Sequence, residues 1–235
     1  MVTLGNFIFR YRNVLFPMFY LLLLMPSSSI FGSYTVTVSI GFIVALTGQS
    51  FRILTIGLKY IIRGGNKRHL YAKELVTTGI FSHCRNPLYL GNIIIITGLG
   101  IIANSLFFVV IVLPVFIFAY SAIVRAEEVY LFDKFDEAYR DYTRNVNRWV
   151  PNLHCLSETF SSTSFHWKRV LIKEYNSTYI WLTGSVLIVM KNLYFMADNR
   201  KFYDLYPIFC SLLTVMTVLY FIVRYLKKSN RLRDT

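Results

Sequence analysis

Apolar residues fall along this chain in long blocks separated by short polar or basic stretches. A helix that crosses about 30 Å of hydrocarbon needs roughly 20 mostly apolar residues. The first block covers residues 14–32, centred on Leu21, Leu22, Leu23 and Leu24. The second covers 34–62 and is interrupted by Gln49, Arg52 and Lys59, so its first part spans and its last turns emerge as a basic interfacial helix. Blocks 88–103 and 106–124 are separated only by Asn104 and Ser105, a joint that requires an antiparallel helical hairpin. Blocks 179–196 and 205–226 form a further pair, with Pro114 expected to kink the fourth span. The pattern predicts an all-α integral membrane bundle of about six spans.

Composition agrees with that reading. The chain is 55% hydrophobic and only 16% charged, against about 25% charged in typical soluble domains, and its mean hydropathy is +0.48. A soluble globule, a disordered chain and a collagen-like repeat are excluded. Cys84, Cys155 and Cys210 lack CxxC spacing, and His69, His83, His154 and His166 lack metal-ligand spacing. Neither a disulfide framework nor a metal site is expected.

Charge adds orientation. Of the net charge of +13, most lies on one side of a six-span arrangement: Arg10, Arg12, Arg63, Lys67, Arg68, Lys73, Arg85, the 125–173 segment and the 227–233 tail. Arg200 and Lys201 stand on the other side. The positive-inside rule then puts both termini and both long connections in the cytoplasm. Arg10 and Arg12 followed by an apolar run and Ser27, Ser28 and Ser29 have the outline of a signal peptide, but Pro17 and the apolar sequence beyond favour a retained span. Lys191 is expected to snorkel toward the outer surface. On this topology the Asn176-Ser177-Thr178 triplet faces the cytoplasm and is not a glycosylation signal. No nucleic-acid-binding motif accompanies the basic charge, whereas juxtamembrane cations attract anionic head groups by about 1 kcal/mol each.

Two segments on the basic side carry candidate chemistry. Residues 66–92 contain Gly79 and then Arg85-Asn86-Pro87 directly before a span. Pro87 suits the first helical turn, Asn86 the N-cap, and the open N–H groups beyond suit an anionic group. In residues 125–151, Glu127, Leu131, Phe135 and Tyr142 follow near-helical spacing with Phe132, Tyr139 and Val146 beside them. This predicts an amphipathic helix that begins at Glu127 and Glu128 and lies against the membrane or against the first segment. No GxSxG, HExxH or P-loop occurs, and Gly98-Leu99-Gly100 follows no strand, which excludes a Rossmann site. Cys84 has no paired base that would make it a nucleophile.

Together these segments resemble the isoprenylcysteine carboxyl methyltransferases and their phospholipid methyltransferase relatives. The resemblance covers residues 46–151: the helix at 48–59, LVTTGIF at 75–81, RNPLYLG at 85–91, the Glu127-Glu128 pair, Leu131, KFDEAYRDY and Arg148-Trp149-Val150-Pro151. Residues 1–45 and 152–235 match only as additional membrane segments, giving an N-terminal unit, a methyltransferase core and a C-terminal hairpin with a basic tail. The resemblance implies S-adenosyl-L-methionine bound in a cytoplasmic pocket closed by a helix, and a lipidic substrate delivered from the bilayer. Carried over by position, the cofactor residues are Lys73, Glu74, Leu75, Val76, Phe81, Asn86, Pro87, Leu88, Tyr89 and Glu127. Asn86 stands where the family usually has histidine, and Ile123 where the eukaryotic enzymes place a substrate-reading arginine.

An anionic acceptor is already ionised at neutral pH and needs alignment and exclusion of water rather than a general base. Arg85 and Arg125 are the candidates for orienting it. The leading expectation is O-methylation of an anionic lipid, such as a lipid A phosphate. Carboxyl methylation of a prenylcysteine or other lipid carboxylate comes next, then N-methylation of phosphatidylethanolamine. An NADPH-dependent membrane reductase, or a non-catalytic scaffold or transporter, is the rival from another class.

Overall fold

The computed structural model describes residues 1–59, 71–196, 200–229 and 231–232. Among these the chain folds into helices: α1 (Val2–Leu21), α2 (Tyr34–Leu58), α3 (Pro87–Ile102), α4 (Leu113–Asn145), α5 (Leu156–Ser162), α6 (Trp167–Tyr194) and α7 (Arg200–Lys228). A 3-10 turn, Leu22–Leu24, prolongs α1, and a π-helical turn, Phe108–Val112, precedes α4. Four segments, Val2–Leu24, Tyr34–Leu58, Phe108–Asn145 and Arg200–Lys228, are long and apolar enough to cross a membrane, and Pro87–Ile102 is a shorter apolar helix.

Small residues decide which helices touch, because close backbone approach rather than hydrophobic burial drives association in lipid. A Cβ on Gly98 would lie 2.6 Å from the Gly41 carbonyl oxygen, and one on Gly48 would lie 2.7 Å from that of Gly91. These contacts bring α2 and α3 together antiparallel. α3 then reverses into α4 through Asn104, whose left-handed backbone (φ 52) makes the predicted tight hairpin. The Asn104 Oδ1 also accepts the N–H groups of Ile30 (2.8 Å) and Phe31 (3.1 Å), tying down the loop between α1 and α2. Pro114 cannot donate to the helical ladder, and the π turn directly before it is the adjustment. α1 packs against α4 with Phe16 and Phe19 edge-on to Phe116 at 5.5 and 5.4 Å. α7 has no buried residue.

Several boundaries depart from the hydropathy pattern. α1 starts twelve residues before the first apolar block, at Val2, so Arg10 and Arg12 lie within the helix rather than ahead of it. Long arginine stems cover apolar surface while their heads reach polar ground; the Arg12 guanidinium stacks 4.2 Å above the Phe9 ring. α6 likewise starts at Trp167 and takes in Glu174, whose charge is matched across the bundle by Arg52. α2 stops at Leu58, where Lys59 is extended; the rest of the predicted continuation to Ile62, with Arg63, Lys67, Arg68 and His69, lies outside the described residues.

The largest correction concerns Glu127 and Glu128. They do not open a separate amphipathic helix but sit inside α4, which breaks only at Asp136 (φ 37, ψ −113). The apolar stripe of Ala119, Ala122, Ile123, Ala126 and Leu131 runs unbroken past them, so no cap forms. Their stabilisation therefore comes from side-chain partners, not from a helix dipole.

Candidate active site

Pro87 at the first position of α3 starts that helix next to the middle of α4. Tyr89, in the same turn, donates its hydroxyl to the Glu127 Oε1 at 2.7 Å. Glu127 is 8% exposed, and the Tyr89 ring packs 5.3 Å from that of Tyr120. Successive helical residues point about 100° apart, so Glu128 faces elsewhere. Arg148 grips it with Nε and Nη2, both at 2.8 Å. The Arg85 Nη1 lies 3.3 Å away and the Arg125 Nη1 3.8 Å away. Three guanidinium groups around one buried carboxylate leave an excess of positive charge. The Arg85 Nε is buried and makes no hydrogen bond among the described residues.

Residues 83–86 are laced to 147–152. The Arg85 N–H donates to the Asn147 carbonyl (2.9 Å), and the Asn152 N–H donates to the His83 carbonyl (3.0 Å). Asn86 occupies the N-cap position as predicted, but its side chain makes no cap bond; its Nδ2 donates to the Arg148 carbonyl at 3.1 Å. The Arg148 carbonyl thus takes the amide, and the first turn of α3 is left without a side-chain cap. His83 is fixed between the Asn152 carbonyl (2.6 Å) and the Thr159 hydroxyl of α5 (2.8 Å). Burial pushes the Cys84 thiol up to about 11, so it stays protonated at neutral pH and is no nucleophile.

Beyond Glu127, the end of α4 folds over the segment before α3. Leu131, Tyr139 and Tyr142 bury against Ala72, with Leu75 beside them. The Tyr142 hydroxyl donates to the Phe81 carbonyl (2.6 Å), and the Lys134 Nζ donates to that of Ala72 (2.6 Å). Of the sequence-predicted residues, Val76, Phe81, Asn86, Pro87 and Glu127 are buried, Leu75, Leu88 and Tyr89 half-buried, and Lys73 and Glu74 exposed. The two segments thus meet at one end of the bundle. Arg85 and Arg125 gather on Glu128 there.

A cavity of about 580 Å³ opens between α1, α3, α4 and α6, within the range of small-molecule sites. Part of its wall is apolar, with Leu24, Leu99, Leu187 and Ile188, and its polar lining includes Arg12, Tyr89, Asn92, Tyr120 and Asn176. Tyr89 is the shared wall between this cavity and Glu127. Behind the cavity runs a network that sequence reasoning missed. The Arg52 Nε donates to the Glu174 Oε2 at 2.9 Å, and Gln49 bridges Glu174 (3.2 Å) to the Trp181 indole (2.8 Å). The Arg52 Nη1 also donates to the Asn92 Oδ1 and so fixes that amide in the cavity wall. The signal was present: Gln49 and Arg52 interrupt an apolar block, and an ionisable residue inside a span is a functional pointer.

The donor set suits S-adenosylmethionine: Glu127 offers a buried carboxylate to its ammonium or hydroxyl groups.

Residues 20–138 match the phospholipid methyltransferase family. The chain is 31% identical over 175 residues to the nickel-cobalt-cadmium resistance protein NccN of Alcaligenes xylosoxydans xylosoxydans, covering 67% of this chain and 80% of the relative. It is 37% identical over 79 residues to the cobalt-zinc-cadmium resistance protein CzcN of Cupriavidus metallidurans, covering 34% of this chain and 36% of that relative. No solved structure matches the chain. The matched segment carries Tyr89, Glu127 and Glu128, and the chain belongs to the phospholipid methyltransferase family, within the group of membrane methyltransferases that includes the isoprenylcysteine carboxyl methyltransferases.

Proposed function

We propose that this protein is an S-adenosylmethionine-dependent methyltransferase that O-methylates an anionic lipid, with the site and both termini on the cytoplasmic side. One observation carries the reading: the hydroxyl of Tyr89, which lines the largely apolar cavity, is hydrogen-bonded to buried Glu127 at 2.7 Å. A cofactor held at Glu127 would therefore stand one side chain away from a bound amphiphile. When bound, S-adenosylmethionine supplies an activated methyl group on a sulfonium cation. Glu127, Asn86 and Tyr89 hold and position it, with Lys73, Glu74, Leu75, Val76, Phe81, Pro87 and Leu88 forming the surrounding wall. Arg85 and Arg125 orient an anionic oxygen. The aromatic lid of Tyr139 and Tyr142 keeps water out. Neither a carboxylate nor a histidine is among the described residues lining the cavity, which suits an acceptor with no proton to lose better than it suits an amine.

The names of the two relatives add a physiological direction. A phosphate monoester carries about −1.5 to −2 charges at pH 7, and methylation leaves a diester with a single charge. Membranes so modified would bind fewer divalent cations, a route to metal tolerance that needs no metal site on the protein.

The test is transfer from methyl-labelled S-adenosylmethionine to lipids extracted from membranes containing the protein. Label in a phosphate methyl ester is the expected result. Base-labile carboxyl ester would favour the lipid carboxylate, base-resistant amine would favour phosphatidylethanolamine, and no lipid label would contradict the proposal.

A further inference from the structure

Arg12 is the one charged side chain among the described residues that line the cavity. It lies on α1, before the segment that matches the family. No described carboxylate pairs with it: the ion pairs of the bundle engage Arg52, Arg85, Arg125, Arg140, Arg144 and Arg148. Its guanidinium lies over the Phe9 ring at 4.2 Å. Stacking uses the face of the planar cation and leaves its N–H edge for bidentate bonds to an oxyanion. Arg12 is half-buried and its head reaches polar ground, so a bound anion would meet it without stripping a deeply buried charge. Its polar neighbours in the cavity are neutral: Asn13, Tyr20, Asn92 and Tyr120. Because the Asn92 Oδ1 is engaged by Arg52, its NH₂ faces the Tyr120 hydroxyl and has a second hydrogen for a ligand.

We infer that Arg12 is the specificity residue of the cavity, reading the oxyanion head group, phosphate or carboxylate, of a bound amphiphile whose tail lies along Leu24, Leu99 and Leu187. This rests on the cavity being the acceptor site proposed above. Its consequence is that acceptor choice is set from α1, before the segment that matches the family, while Glu127 holds the donor and Arg85 and Arg125 act on the reacting oxygen.

Binding of dodecyl phosphate to the purified full chain in maltoside detergent, counted by native mass spectrometry, tests this without requiring turnover. Wild type is expected to bind dodecyl phosphate in preference to dodecylamine. Arg12→Gln should lose at least about tenfold in affinity, Arg12→Lys should fall between, and Arg10→Gln, which borders a different cavity, should match wild type. Equal affinity in Arg12→Gln, or an equal loss in Arg10→Gln, would overturn the inference. S-adenosylhomocysteine binding by the same samples is expected to be unchanged in Arg12→Gln. Its absence from wild type would count against the methyltransferase reading, while the dodecyl phosphate result would still decide the role of Arg12.

Discussion

Glu127 and Glu128 are neighbours in the chain with different work, because the helix turns them to different surroundings. Glu128 is 3% exposed and is the anchor of Arg148 and Arg85, so it joins the segment after α4 to the segment before α3. Replacing it with alanine leaves Arg85, whose side chain is 12% exposed, without its carboxylate. Arg148, at 43% exposure, is partly solvated, so the cost falls below about 3–5 kcal/mol, the loss for a fully buried pair. Glu128→Ala is therefore expected to lower the thermal midpoint of the purified protein. A midpoint within error of wild type would show that the cluster does not hold the two segments together. The local pattern at 85–87 foretold where α3 begins. It did not foretell that the Asn86 amide serves the Arg148 carbonyl, because that partner lies 62 residues away in sequence.

Helices are set by two different rules here. α2 and α3 meet through glycines, so adding bulk is expensive: a Cβ at Gly98 would lie 2.6 Å from the Ala45 backbone nitrogen. Gly98→Val is expected to reduce the yield of monodisperse protein from membranes, whereas Gly184→Ala, which meets nothing within 4 Å, should leave it unchanged; equal yields would contradict the close approach. The apolar blocks were enough to locate α2, the α3–α4 hairpin and α7, because hydrophobic runs of that length have few alternatives in lipid. They misplaced the starts of α1 and α6. Hydropathy counts a charge as an interruption, whereas Arg12 lies on an aromatic ring and Arg52 and Glu174 neutralise one another across the bundle. Pairings between distant residues leave no trace in a sequence window. The helix predicted to start at Glu127 failed for the opposite reason: the apolar stripe of α4 simply continues.

On the scale of the molecule, one end of the bundle collects the start of α1, the end of α2, the start of α3 and the middle of α4. Gly5 approaches the Ala122 carbonyl there, and Lys227 near the end of α7 donates to the Ile172 carbonyl of α6 at 3.1 Å. Most of the chemistry described sits at this end, where Tyr89 joins the apolar cavity to Glu127. Under the proposed function, such an arrangement would bring a water-soluble donor and a membrane-bound acceptor to a single tyrosine. The most direct measurement is calorimetric titration of the purified protein with S-adenosylhomocysteine and, separately, with NADPH, using wild type and Glu127→Ala. Saturable binding of S-adenosylhomocysteine by wild type, its loss in a Glu127→Ala protein of unchanged helicity, and no binding of NADPH are expected; wild-type affinity in Glu127→Ala, or binding of NADPH alone, would contradict the assignment.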